Sequence, residues 1–253
     1  MQTVKYQKEK LINSNMPILT DPTLATNFVC EPDLTSGLQW MHDQCMEIFS
    51  HLPNIYTQEP ESEFFKEHIK EHYALYDPDK PLMQVVYLAD IEPYRELSDM
   101  LGRFGFTRAI KFFQSDPTQP SFKNVEHLFF CHRHHYTSSV ASLIFPIAGC
   151  DENTITSWPE YEDVDGYIPD DPSIGVYWSE YYWKTYNKDN ERYLLTDEEA
   201  TCRYALTDRP VLWNVKQWHE AYNQGTQHRV IANINFESAT QTWQESVDIV
   251  KAI

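Results

Sequence analysis

Apolar residues recur at helical spacing in Leu38, Met41, Cys45, Ile48 and Leu52. This pattern predicts an amphipathic helix capped by Asp33 or Thr35 and ended by Pro53. Pro60–Tyr76 predicts a second helix with Phe64, Phe65, Ile69, His72 and Tyr73 on one side, and Glu92–Phe104 a third that turns Leu97, Met100, Leu101 and Phe104 inward and stops at Gly105. Ser238–Ile253 predicts a terminal helix burying Trp243, Val247 and Val250. Short apolar or alternating runs predict strands at Met83–Leu88, Ala109–Gln114, Leu128–Cys131, Val140–Ile147, Pro210–Val215 and His228–Phe236. The last two are expected to be neighbours joined by a polar turn containing Asn223-Gln224-Gly225. Ser115–Pro120 reads as a turn, and Met1–Asn27 as an extended arm or edge segment. Helices come early and strands dominate later, which predicts an α+β fold with helices packed on one face of a β-core. With no internal repeat or low-complexity linker, one domain is expected. It divides into an arm and helices (1–80), a core (81–237) and a C-terminal helix (238–253).

Trp158–Lys188 breaks this rhythm. It is acidic, rich in tyrosine and without clear periodicity, which predicts an insert (158–190) acting as an ordered functional loop or lid. Tyr177, Trp178, Tyr181, Tyr182 and Trp183 suit the wall of a pocket or a small aromatic hairpin equally well. Aromatics make up 14% of the chain, which favours a β-rich fold with a lined cavity. Only 7 glycines are present, with neither GxGxxG nor GxxxxGK[ST], so a phosphate cradle is not expected. A formal net charge of −18 argues against nucleic-acid and anionic-membrane partners. The longest apolar run, Val140–Cys150, is interrupted by Ser142 and Pro146 and is too short for a bilayer. Five cysteines without a CxxC pair, and no signal-peptide pattern, predict a cytoplasmic protein with reduced thiols. Cys150 has no activating pattern around it and reads as packing.

The chemistry concentrates in two places. Cys131-His132-Arg133-His134-His135-Tyr136 lies between two apolar runs, and in an extended segment His132, His134 and Tyr136 share a face. Further on, His219 falls just past Val215, and Arg229 follows it by ten residues. A neutral imidazole ligates transition metals and a guanidinium grips a carboxylate through two hydrogen bonds, so a metal-plus-organic-acid site is indicated. His68 and His72 are four apart, but without HExxH they read as a charged surface helix.

Leu101–Gly102, AIKFF, SDPTQP, HHYTSSVASLIFPIAGCDENTITSW and RPVLWNVKQWHEAYNQGTQHRVIANINF resemble the Fe(II)/2-oxoglutarate-dependent oxygenases. More narrowly they are similar to the prolyl- and aspartyl-hydroxylase-like members frequent in phages and marine microbes. The resemblance covers roughly Leu97 to Phe236 and implies a double-stranded β-helix, the cupin-like jelly roll, as the core. It implies a cytoplasmic enzyme, in the host cytoplasm if phage-encoded, that hydroxylates a peptide side chain or small molecule using Fe(II), 2-oxoglutarate and O2. Site residues carry over unevenly. His219 matches the distal metal histidine, Arg229 the residue that grips the C5 carboxylate, and His134 the first histidine of H-x-D. The carboxylate of that motif is then Tyr136, a departure from the family. A phenol with an ordinary pKa near ~10 replaces a carboxylate poorly unless the metal deprotonates it.

Four readings of Tyr136 stay open. Two histidines and water hold the iron; His132, His134 and His219 form a three-histidine site like that of cupin dioxygenases that do not use 2-oxoglutarate; a carboxylate such as Glu220 or Asp151 completes the sphere; or the domain is an inactive jelly-roll binding or structural protein. Trp158, Tyr177 and Trp178 are the substrate-wall candidates.

Overall fold

The computed structural model describes residues 27–55, 60–76, 83–115, 132–134, 139–159, 166–167, 176–179, 200–223 and 226–253. Seven strands, numbered in chain order, form one antiparallel sheet. Across it lie β1 (Val29–Cys30), β11 (Val211–Asn214), β6 (Ala141–Ala148), β13 (Arg229–Asn235), β4 (Ala109–Ser115), β3 (Met83–Tyr87) and β2 (Tyr73–Tyr76). A smaller sheet holds β10 (Ala200–Ala205), β7 (Thr154–Pro159) and β12 (Glu220–Asn223) in that order. A third joins β5 (His132–His134), β9 (Val176–Ser179) and β8 (Gly166–Tyr167).

Alternation along the strands gives the large sheet two unlike faces. Phe112, Leu143, Phe145, Leu212, Val230, Ala232 and Ile234 point to one side. There they pack against Leu38, Met41, Cys45 and Ile48 of α1 (Ser36–His51), Leu97 and Leu101 of α2 (Arg95–Arg103), and Val247 and Val250 of α3 (Trp243–Lys251). Phe113, Ile144, Val211, Trp213 and Ile231 point the other way and meet Trp158 and Cys202 of the small sheet. The large sheet is therefore the middle of three layers, with helices on one side as the patterning predicts.

After β6 the chain alternates between the sheets. It leaves β6 for β7, returns from β10 to β11, crosses to β12, and crosses back to β13. Gly149 makes the first of these crossings possible. Its φ is +60°, and a Cβ there would stand 2.0 Å from the His228 carbonyl oxygen. Only glycine fits both conditions.

Several boundaries differ from expectation. Thr35, rather than Asp33, caps α1 by accepting from the Leu38 amide. The Pro60–Tyr76 helix is cut short to a π-helical turn at Phe65–Ile69 and a 3-10 turn at Lys70–His72. Tyr73–Tyr76 then pairs with β3, because an open sheet edge offers its backbone hydrogen bonds. The 1–80 segment thus supplies both edge strands of the large sheet as well as helix. The terminal helix begins at Trp243, set by a Thr242–Glu245 capping box. The 158–190 insert is not without regular structure: Trp158 belongs to β7, and β8 and β9 lie within it. The Leu128–Cys131 strand falls outside the described residues. Among the described residues no helix is long and apolar enough to cross a membrane.

Candidate functional site

Pro210–Val215 and His228–Phe236 do form strands, but they are not the neighbours expected. β6 lies between β11 and β13, and β12 intervenes in the chain. This correction moves His219. It stands one residue before β12, whose Ala221 pairs with Thr156 of β7 and is buried on the side that carries Trp158. Continuing that alternation puts His219 on the same face, toward the large sheet. His219 is 4% exposed, and its Nδ1 lies 2.8 Å from the Gln217 carbonyl oxygen. A carbonyl only accepts, so Nδ1 carries a hydrogen, and in a neutral ring Nε2 is then the metal-ligating nitrogen. That tautomer is the one that ligates a metal through Nε2.

Arg229 opens β13 opposite Ser115 of β4 and is 2% exposed. It alternates with Ile231, which packs between the sheets, and so projects to that side too. His219 and Arg229 therefore sit on facing walls, one on each sheet. β12 runs its four residues between them, about 13 Å along the strands, which two side chains and an intervening small molecule can span. Between them stand Ile231, Phe113 and Ile144 from the large sheet, and Trp158 and Thr156 from the small one. Trp158 is wholly buried, edge-on to Trp213 at 6.4 Å and 6.1 Å from Phe28. It is a core residue of the inter-sheet space.

Cys150 lies beside Arg229, its thiol donating to the Val230 carbonyl at 3.4 Å. Burial pushes that thiol up, opposed by the Arg229 charge. Burial likewise raises Cys30, Cys45 and Cys202, the last to about 11. These four described cysteines are unbridged, and burial favours the protonated thiol in each.

The first-histidine region is described only along its backbone. His132 pairs with Trp178, Arg133 with Tyr177 and His134 with Val176, so the histidine run and the tyrosine-rich insert share one sheet. The side chains of His132, His134, Tyr177 and Trp178, and all of Tyr136, lie outside the described residues. Among the described residues no three or more His, Cys, Asp or Glu side chains converge as a metal site. Asp151 lies in the β6–β7 turn, at the Thr154 end of β7, whereas His219 adjoins the Ser157 end. The Glu220 side chain lies outside the described residues.

No family model matches the chain, and no curated protein is similar to it in sequence. Among solved structures, SnoK, a non-heme alpha ketoglutarate dependent carbocyclase from nogalamycin biosynthesis, superposes with a TM-score of 0.41 at 12% identity, covering 90% of this chain and 83% of that one. AviO1 from Streptomyces viridochromogenes Tue57 gives 0.40 at 12% identity, covering 88% and 97%. A Pseudomonas putida prolyl-4-hydroxylase gives 0.36 at 8% identity, covering 82% and 90%. Likenesses this loose assign neither fold nor activity, so the functional reading rests on the chain's own geometry.

Proposed function

We propose that the chain is an Fe(II)/2-oxoglutarate-dependent oxygenase built on a double-stranded β-helix, acting on a small molecule or peptide side chain. The observation that carries this reading is the pairing of His219 and Arg229 on facing walls of two sheets between which the chain repeatedly crosses. Alternate strands in opposed sheets are the winding that a double-stranded β-helix requires. The buried, oriented imidazole of His219 supports the fit to a metal, and the buried guanidinium of Arg229 supports the fit to a carboxylate.

His219 and His134 would hold the iron, with His132, Tyr136 or water as the third ligand. When bound, the metal supplies oxygen activation coupled to decarboxylation of 2-oxoglutarate. The chain's own residues bind and orient. Arg229 receives the C5 carboxylate in an interior with little water, where a charge-assisted pair is stronger than at the surface. Ile231, Phe113 and Ile144 keep water from the space between that anchor and His219. The Gln217 carbonyl orients the His219 ring through Nδ1.

The competing reading is a non-catalytic jelly-roll protein, favoured by Tyr136 at the carboxylate position of the motif. Anaerobic addition of Fe(II) and 2-oxoglutarate separates the two. The oxygenase reading expects bound metal and a weak visible charge-transfer band, lost in His219→Ala and strengthened in Tyr136→Asp. Wild-type protein that binds no iron by elemental analysis and shows no band supports the scaffold. A three-histidine dioxygenase would instead keep iron in Arg229→Ala and turn over without 2-oxoglutarate.

A further inference from the structure

β6 carries a proline, Pro146, in the middle of the large sheet, with β11 on one side and β13 on the other. Proline has no backbone N–H to give to a ladder, so a central strand tolerates it only where the pairing is irregular. Such an irregularity is present. Ile231 of β13 pairs with Pro146, but the residue before it, Val230, pairs with Ala148. Ile147 is thus an extra residue on β6, a β-bulge that ends one position from Arg229.

The bulge decides what Arg229 meets. Continuing the shifted register brings Gly149 beside Arg229. A Cβ on Gly149 would lie 3.4 Å from the Arg229 Cα and 2.0 Å from the His228 carbonyl oxygen. Without the extra residue Ala148, which has a Cβ, would take that position. The same shift sets Cys150 against Val230, whose carbonyl accepts from the thiol at 3.4 Å. The backbone that launches Arg229 between the sheets is therefore fitted to a strand end displaced by one residue.

A bulge disrupts the ladder where it occurs, so its register needs support from outside the sheet. Strand carbonyls ordinarily accept from a neighbouring strand in the plane of the sheet. The Pro146 carbonyl accepts from the helix layer, from Nε2 of His42 on α1, at 2.6 Å and across 104 residues of chain. The His42 ring stacks 5.6 Å from Phe145, which aims that nitrogen at the neighbouring carbonyl. Its companions on the inner side of α1, Leu38, Met41, Cys45 and Ile48, only fill the core. We propose that His42 is a positioning residue for Arg229: it holds the Pro146–Ile147 bulge in register, and through the bulge the guanidinium. That the guanidinium then receives 2-oxoglutarate rests on the oxygenase reading; the hold on the bulge does not.

The test compares full-length wild type, His42→Phe and His42→Gln. Phenylalanine keeps a ring on Phe145 and removes the donor, whereas the glutamine amide reaches nearly as far as Nε2 and restores it. Thr242→Ala, which acts at the α3 cap, controls for general loosening of the fold. Two readouts are taken: 2-oxoglutarate affinity by calorimetry, with Fe(II) under argon, and the rate at which iodoacetamide alkylates Cys150, located by mass spectrometry. His42→Phe should bind 2-oxoglutarate roughly tenfold more weakly, as a small misplacement of an anchoring group costs. It should also alkylate Cys150 several-fold faster, since the thiol loses its hold on Val230. His42→Gln should recover most of both, and Thr242→Ala should move neither. The proposal is overturned if His42→Phe matches wild type in either readout, if His42→Gln behaves as His42→Phe does, or if Thr242→Ala shifts both readouts as far. Should wild type itself fail to bind 2-oxoglutarate, the oxygenase reading falls, and the alkylation pattern alone upholds or overturns the hold of His42 on the bulge.

Discussion

The two faces of the large sheet differ in a way that separates stability from function. Toward the helices the strands present Phe112, Leu143, Phe145, Val230, Ala232 and Ile234, closed by three helices. The glutamines the strands carry there are matched: Gln114 donates to Gln84, which donates in turn to the Pro53 carbonyl and the Tyr73 hydroxyl. Toward the small sheet the same strands alternate apolar residues with Arg229, Asn233 and Lys111. Those groups make the second face more polar than the first, which suits a binding wall.

The largest expected effect lies on the helix face. Phe145→Ala removes a wholly buried ring stacked 5.6 Å from His42 and should cost about 3–5 kcal/mol in denaturant unfolding. A loss under about 1 kcal/mol would show that this face is not the stabilising one. On the opposite face the effect should fall on binding. Arg229→Met should weaken 2-oxoglutarate by roughly thirtyfold or more, about 2 kcal/mol, with little loss of folding stability. Unchanged 2-oxoglutarate affinity by calorimetry would remove Arg229 from the site.

Gln114→Leu sharpens the comparison, since it leaves Gln84 with one unmatched acceptor in a buried setting. It should cost about 1–3 kcal/mol by chemical denaturation, and the Gln84→Leu/Gln114→Leu double variant less than the sum of the two single changes. Additive losses would mean the amides act independently. The smallest effect is at the outer layer, where Thr242→Ala removes the α3 cap and should cost about 0.5–2 kcal/mol. Hydrogen bonds from the Thr242 backbone and side chain hold Glu245 below the usual carboxylate value. A carboxylate depressed in the fold adds stability above its unfolded pKa and loses it as pH falls through the folded one. Wild type and Thr242→Ala should therefore converge in melting temperature as pH drops below about 4.

The helix-facing half of this fold was legible in the sequence because apolar periodicity encodes it. Leu38, Met41, Cys45, Ile48, Leu97, Leu101, Ile110, Phe112 and Val140 to Ile147 are buried as their spacing predicts, while Leu52 and Met100 are only partly covered. The small sheet was not legible, and the reason is physical. β7 reads TITSWP and β12 reads EAYN, yet Thr154, Thr156, Ser157 and Ala221 are buried. Buried Thr and Ser look like loop residues to a hydrophobicity pattern, and four-residue strands give it too little to average over. Tyr73–Tyr76 failed differently, since its residues suit a helix and only the β3 edge draws them into a strand. At the site, His219 and Arg229 were singled out by spacing and residue type. Their placement on facing sheets needed β12, and the bond from His42 to Pro146 joins residues 104 apart, which no local pattern reveals.

The most direct test of the account is an anaerobic titration of the purified chain with Fe(II) and then 2-oxoglutarate, run beside His219→Ala and Arg229→Met. The account predicts stoichiometric iron and a weak visible charge-transfer band in wild type. His219→Ala should lose both, and Arg229→Met should keep iron while needing far more 2-oxoglutarate. Wild-type protein that takes up no iron, or a band indifferent to both substitutions, would contradict it.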